Sequence, residues 1–317
     1  MTLSRTAGPP NIDWTQNTCR AQFDYIKVWH DRKVLLPPLS GTKRWVPEVR
    51  GDTVFTLTVQ DPTRSDIDKL IKALDNPKIA SLQLAVDIQP NAGLDPVERE
   101  RLLLETFYAV AGRFRPEDEA YWAYGTRGGV TGPTQKPKPF HRRFPSPNEE
   151  LVYGRRGRWM QSTMYLKRVN ERALLDPSEH RVRMELTVTR WAVMELGLDL
   201  LADLLGYRYQ KTFNKHFRIV SAPRVRAVAR RSAADLRKLE RRMWRGWEIA
   251  GVGKFAIAPE LPRDTIISDI KPINARRRQQ LPHEDYVLTR DQGSTSEIGN
   301  ALRQLERRMA VKKTRAV

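Results

Sequence analysis

Three short stretches hold residues whose type and spacing could do chemistry. In Ser81-Leu82-Gln83-Leu84-Ala85-Val86-Asp87-Ile88-Gln89, a period of two puts Gln83, Ala85, Asp87 and Gln89 on one face of a strand and the aliphatic residues on the other. An acid in mid-strand is disfavoured unless it has a partner or a job. Carboxylate and amide oxygens are what a hard cation such as Mg²⁺ or Mn²⁺ wants, so Asp87 with Gln83 can read as part of a metal site. The same face also reads as ordinary strand surface turned to water. In the second stretch, Tyr165 and Lys167 point the same way on a strand. An ammonium beside a phenol favours the phenolate, and a phenolate is a competent nucleophile on a phosphodiester. The third stretch pairs Arg183 with Glu185, two apart on one face. Arg183 could hold phosphate while Glu185 holds metal, or the two could be an exposed charge pair.

Other chemistries find little support. The histidines, His30, His141, His180, His216 and His283, form no HxH or HExxH spacing. There is no Walker-type loop, and the glycines 125, 128 and 129 lack the Lys that would make one. Cys19, the only cysteine, can make neither an internal disulfide nor a thiolate cluster, which suits a reducing cytoplasm.

These residues need a scaffold, and the pattern of apolar side chains describes one. Phe23–Trp29, Val54–Val59, Ile79–Ile88, Met164–Lys167 and Arg181–Val188 read as strands of one sheet. Ile67, Leu70, Ile71 and Leu74 form one helical stripe, and Leu102, Leu103, Phe107 and Val110 another, so helices are expected near 66–74 and 97–112 against one sheet face. A further helix follows Val188, with Trp191, Met194, Leu198, Leu201 and Leu205 as its apolar positions. Residues 31–50, rich in proline, read as a long loop. The fold class is therefore α+β, an antiparallel sheet flanked by helices. Three regions are expected: a loose arm at 1–20, a main domain at 21–210 with a basic insertion at 130–160, and a basic, mostly helical region at 211–317.

Charge indicates the partner. The chain of 317 residues carries 56 Lys and Arg against 37 Asp and Glu, a formal net charge of +19. Such an excess repels itself unless a polyanion offsets it, and phosphate backbones are the usual polyanion. The cations concentrate at Arg127, Lys136, Lys138, Arg142, Arg143, Arg155, Arg156 and Arg158, in a segment with few apolar residues, and again at 223–247. No stretch approaches the apolar length of a membrane helix, and residues 1–10 lack a signal-peptide core. A cytoplasmic nucleic-acid-binding protein with no membrane partner is the expectation. The eight Trp add aromatic surface that can stack on bases where it is not core.

Taken in order, Phe23-Asp24-Tyr25-Ile26, Leu82-Gln83-Leu84-Ala85-Val86-Asp87, Tyr124-Gly125-Thr126-Arg127, Met164-Tyr165-Leu166-Lys167 and Arg181-Val182-Arg183-Met184-Glu185-Leu186 resemble the rolling-circle replication initiators and relaxases of filamentous phages, plasmids and conjugative elements. The likeness covers about residues 21–205. It implies a nicking domain, a tyrosine that attacks one DNA strand at an origin, a 5′-phosphotyrosyl link with a free 3′-hydroxyl, and a divalent metal on the scissile phosphate. Carried onto this chain, Tyr165 and Lys167 become the catalytic pair and Asp87, Glu185 and Gln83 the metal ligands. Arg183 joins Arg127 and the basic insertion in holding single-stranded DNA or an origin hairpin. Host replication proteins are further candidate partners. Tyr207 and Tyr209, near Arg208, Lys211 and His216, are reserve nucleophiles. This chain departs from the family pattern at Ser81 and Gln83, where the family has Arg and an additional Asp, and at Leu166, where it has Asp or Asn. The competing expectation is a DNA- or RNA-binding regulator from a phage or plasmid that cuts nothing.

Overall fold

The computed structural model describes residues 12–50, 52–112, 120–124, 138–139, 149–153, 160–170, 173–219 and 292–310, with isolated short pieces between 224 and 289. Strand β1 (Asn17–His30) is followed by β2 (Lys43–Arg50), β3 (Asp52–Gln60), helix α1 (Arg64–Ala73), β4 (Ile79–Pro90) and α2 (Pro96–Ala109). Next come β5 (Val110–Gly112), β6 (Ala120–Tyr124), β7 (Lys138–Pro139), β8 (Glu149–Tyr153) and β9 (Met160–Lys167). A two-residue hairpin of β10 (Val169–Asn170) and β11 (Ala173–Leu174) leads to β12 (Arg181–Thr189). Helix α3 (Arg190–Glu195), a 3-10 turn at Leu201–Leu204, α4 (Tyr209–His216) and β13 (Phe217–Ile219) follow, and α5 (Gln292–Met309) closes the described chain.

Among the described residues, one sheet of nine strands, in the order β2-β3-β1-β4-β12-β9-β8-β6-β7, organises the fold. The five expected strands all belong to it and pair antiparallel with one another. Its apolar face carries Phe23, Ile26, Val28, Leu82, Leu84, Val86, Ile88, Val182, Met184, Leu186, Met164 and Leu166, all buried. Leu70 and Ile67 of α1, Leu102, Leu103 and Phe107 of α2, Tyr209 and Phe213 of α4, and Leu302 and Leu305 of α5 belong to the same core. Amphipathic helices gain most of their stability from such burial. Helix α1 starts where Thr63 accepts from the Asp66 backbone N–H while Asp66 accepts from the Thr63 N–H, a capping box. Asp95 caps α2 ahead of Pro96 at its first turn.

Several expectations need correction. The chain is already in β1 at Asn17, and Ile12 and Trp14 are buried in the core, so the arm expected at 1–20 extends no further than residue 11. Residues 43–50, expected in a loop, form β2 and pair with β3 despite Pro47, because an edge strand tolerates the missing donor. The helix expected to run past Val188 is a short α3, ended by Gly197 at φ +69°. Of its expected apolar stripe, Trp191 and Met194 face outward, and Ala192 and Val193 are buried instead. In the C-terminal region α4 and α5 are helical, but the described residues between 224 and 289 include short strands at Arg224–Val225, Phe255–Ala256, Asp264–Ile266, Lys271–Pro272 and Tyr286–Thr289. Most of the expected helix at 223–247 lies outside the described residues.

Candidate functional site

Opposite the helices, the second face of the sheet carries the residues singled out above. Antiparallel register aligns Arg20 of β1 with Asp87 of β4, Asp87 with Arg183 of β12, and Arg183 with Tyr165 of β9. Four neighbouring strands thus present one row of polar side chains. The next row is Gln22, Ala85, Glu185 and Thr163, and beyond it Gln83 meets Thr187. A bulge between Phe23 and Tyr25 sets Asp24 at the side of this array.

The array is buried: Tyr165 is 3% exposed, Arg183 2%, Asp87 6% and Glu185 fully enclosed. The alternative of a strand face turned to water is therefore set aside, and burial demands that every charge be matched. Arg183 donates from Nε to Asp87 Oδ1 at 2.6 Å and from Nη2 to Oδ2 at 2.7 Å, and from Nη1 to Asp24 Oδ1 at 2.7 Å. Burial works against its charge, but the bonds and charge of Asp87, with Tyr165 and Asp24, together outweigh burial and hold the guanidinium charged. Arg181 approaches the same Asp87 at 3.2 Å. Glu185 accepts from the Tyr165 hydroxyl at 2.6 Å and from Gln83 Nε2 at 3.0 Å, and lies 3.8 Å from Arg183 Nη1. Gln83 also donates to Thr187 at 2.9 Å. Lys167 is half-buried at the rim, where burial and then the like charges of Arg183 and Arg181 push its pKa below the usual value. Asp61, in left-handed backbone at φ 44°, closes the β1 side. Burial, then Asp24, pushes its pKa up, while Arg183 and Lys167 pull it down.

The expected acids, tyrosine and lysine therefore converge on one face. The divalent ion expected among Asp87, Glu185 and Gln83 does not fit the arrangement as it stands. Both Asp87 oxygens bind Arg183, and Glu185 is engaged by Tyr165 and Gln83, so a guanidinium stands where the cation would. No group of three or more His, Cys, Asp or Glu among the described residues is placed to hold a metal. Arg183, expected to grip phosphate, directs its donors to Asp87 and Asp24. The role of Asp24, visible in the sequence only as the acid ahead of Tyr25, was not anticipated. Asp61 was missed as well, its one sequence signal being the Asp-Pro that opens α1.

The reserve nucleophiles lie elsewhere. Tyr209 packs edge-on against Phe23 in the core, donates to the Leu204 carbonyl, and has its pKa pushed up by burial. Tyr207 shares its hydroxyl hydrogen bond with Thr212, and burial raises its pKa too. Burial, then Glu297, pushes the Cys19 thiol up to about 12, which leaves it unreactive at neutral pH. Arg127, Lys136, Arg142, Arg143, Arg155, Arg156 and Arg158 lie outside the described residues, and Lys138 is placed only as backbone, paired with Trp122 across β6 and β7. No helix among the described residues is long and apolar enough to cross a membrane.

No protein-family model matches the sequence, and no curated protein matches it. Among solved structures, the chain is similar to the rolling circle replication initiator protein from Geobacillus stearothermophilus, with a TM-score of 0.32 and 11% sequence identity over 68% of this chain and 91% of that one.

Proposed function

We propose that this chain is a DNA-binding replication initiation protein of the rolling-circle kind that opens one DNA strand through Tyr165. The observation that carries the reading is the 2.6 Å hydrogen bond from the Tyr165 hydroxyl to Glu185, inside a cluster that also holds Asp87, Arg183 and Lys167. A phenol with a pKa of about 10 needs help to attack at neutral pH. Glu185 is in place to take its proton as the oxygen bonds to phosphorus. The P–O3′ bond breaks, and the leaving 3′ oxygen takes a proton from water. Lys167, two residues along the same face, offsets the phosphate charge. The net charge of +19 supplies the attraction for the strand.

Burial of Tyr165 and Glu185 favours a second reading, in which the cluster is a packed polar core and the chain binds DNA or RNA as a regulator without cutting it. The full chain incubated with end-labelled single-stranded DNA, in parallel with Mn²⁺, Mg²⁺ or EDTA, separates the two on a denaturing gel. A covalent protein–DNA band that disappears with Tyr165→Phe is the expected result, and the three lanes report whether a metal takes part. Wild-type protein that forms no band on any single strand leaves the regulator. A band that survives Tyr165→Phe moves the nucleophile elsewhere.

A further inference from the structure

The polar face continues from Tyr165 toward the end of β12, and its character changes there. Odd-numbered residues share one face along β4, so Ser81 lies on it with Gln83, Ala85 and Asp87. Ser81 is flanked by Lys27 of β1 and Thr189 of β12, Lys27 in turn by Thr58 of β3, and Thr58 by Arg44 of β2. Two residues past Lys27, beyond the buried Val28, stands Trp29. The guanidinium of Arg190 sits 4.7 Å from the Trp29 ring centre and 5.5 Å from that of Trp191. Trp191 is 58% exposed, and Met194, one turn further on α3, is 52% exposed. Among the described residues no carboxylate pairs with Arg190.

Trp191 and Met194, one turn apart on α3, put an indole and a thioether together in water, and it is apolar surface gathered in this way, rather than scattered singly, that marks binding sites. Here α3 buries Ala192 and Val193 in the core, which fixes Trp191 outward on a rigid element. The stacked guanidinium restrains both indoles. Flat aromatic and guanidinium surfaces beside Lys27 and Arg44 match the chemistry of an unpaired nucleotide, a base for the rings and a phosphate for the cations. A duplex keeps its bases stacked internally and offers no face to Trp191.

We infer that Trp29, Arg190 and Trp191 form a base-stacking platform for single-stranded nucleic acid, joined through Trp29 to the sheet face that carries Tyr165. It rests on the reading of nucleic acid as partner. Six residues of β4 separate the Ser81 row from the Asp87 row, about 20 Å at 3.3 Å per residue, so the platform would hold bases several nucleotides from the attacked phosphate.

The test measures binding of a fluorescein-labelled oligothymidylate to the full chain by anisotropy. Trp191→Ala should weaken single-strand binding about tenfold. Trp191→Phe, which keeps a ring, should recover most of it, and Arg190→Ala should weaken binding and flatten its salt dependence. Trp191→Ala protein that binds the oligonucleotide as wild type does would overturn the platform. So would a wild-type dimer that Trp191→Ala converts to monomer without loss of DNA affinity, since the face would then seat a second copy. Wild-type protein that never forms the covalent adduct would end the nicking reading and leave the platform standing.

Discussion

Arg183 and Asp87 face each other across adjoining strands, and the Nε and Nη2 donors of the guanidinium meet the two oxygens of the carboxylate, at 2.6 and 2.7 Å. Such a pair is costly to break because the survivor stays charged and buried. Removing one partner of a buried pair typically costs about 3–5 kcal/mol, whereas replacing both by apolar residues of similar size is often neutral. Asp87→Ala is expected to lower the unfolding free energy, read from urea titration, by that amount. Arg183→Met combined with Asp87→Leu should recover much of the loss. Additive costs in the double mutant would show that the two side chains act independently.

Phosphate binding predicts a salt dependence. With six or more phosphates neutralised on a duplex, the logarithm of the binding constant should fall against the logarithm of salt with a slope of about −5 or steeper. Titration by filter binding between low and moderate salt reads this directly. A slope near zero would end the claim that phosphate contacts dominate.

The sheet was legible because its strands alternate cleanly. Leu82, Leu84, Val86 and Ile88 on one side and Gln83, Ala85 and Asp87 on the other could be assigned from period two alone, and the structure keeps that division. Which polar residue meets which was not legible, because pairing across strands depends on register, and register is set by contacts far apart in sequence. Asp24 reaches Arg183 only through the bulge after Phe23, and Asp61 closes the cluster from a turn after β3. The misreading of α3 has a similar cause. Trp191 and Met194 carry an apolar signal, yet six helical residues following a sheet strand can bury only one side, and Ala192 and Val193 take it.

The capping box of α1 predicts an acid limb. Burial alone would raise the Asp66 carboxyl, but hydrogen bonds from Ser40 and Thr63 outweigh it and hold it down at about 2. Ser40 donates through both its backbone N–H, at 2.9 Å, and its hydroxyl, and Thr63 through its backbone N–H at 2.8 Å. A carboxyl depressed below its unfolded value of about 3.9 contributes stability that is complete above that value and is lost as pH falls through the folded one. Stability should therefore decline between about pH 4 and pH 2, and Asp66→Asn should shrink that decline while lowering stability at pH 7. Thermal melts across this range check both. An unchanged acid limb in Asp66→Asn would place the responsible carboxylate elsewhere.

Lys167 offers the sharpest contrast between stability and function. Its ammonium is half-buried, and burial followed by Arg183 and Arg181 pushes its pKa down, with Asp24 and Asp87 pulling less strongly the other way. A lysine whose folded pKa lies below its unfolded one penalises the fold while charged. The penalty is full below the folded value and fades as pH rises from it toward about 10.4. Lys167→Met keeps the stem and removes the charge, so it should raise stability at pH 7 by roughly 0.5–1 kcal/mol, a scale typical of partly exposed charges. It should also remove a rise in stability on the alkaline side. If Lys167 is kept to offset phosphate beside Tyr165, the same substitution should cut covalent adduct formation at least tenfold, an effect typical of losing a group that stabilises transition-state charge. A more stable protein with less activity is the signature of a residue retained at a cost to the fold. A Lys167→Met protein that is more stable and equally active would reduce Lys167 to a tolerated surface charge, and one that is less stable would mean that Asp24 and Asp87 outweigh the two arginines.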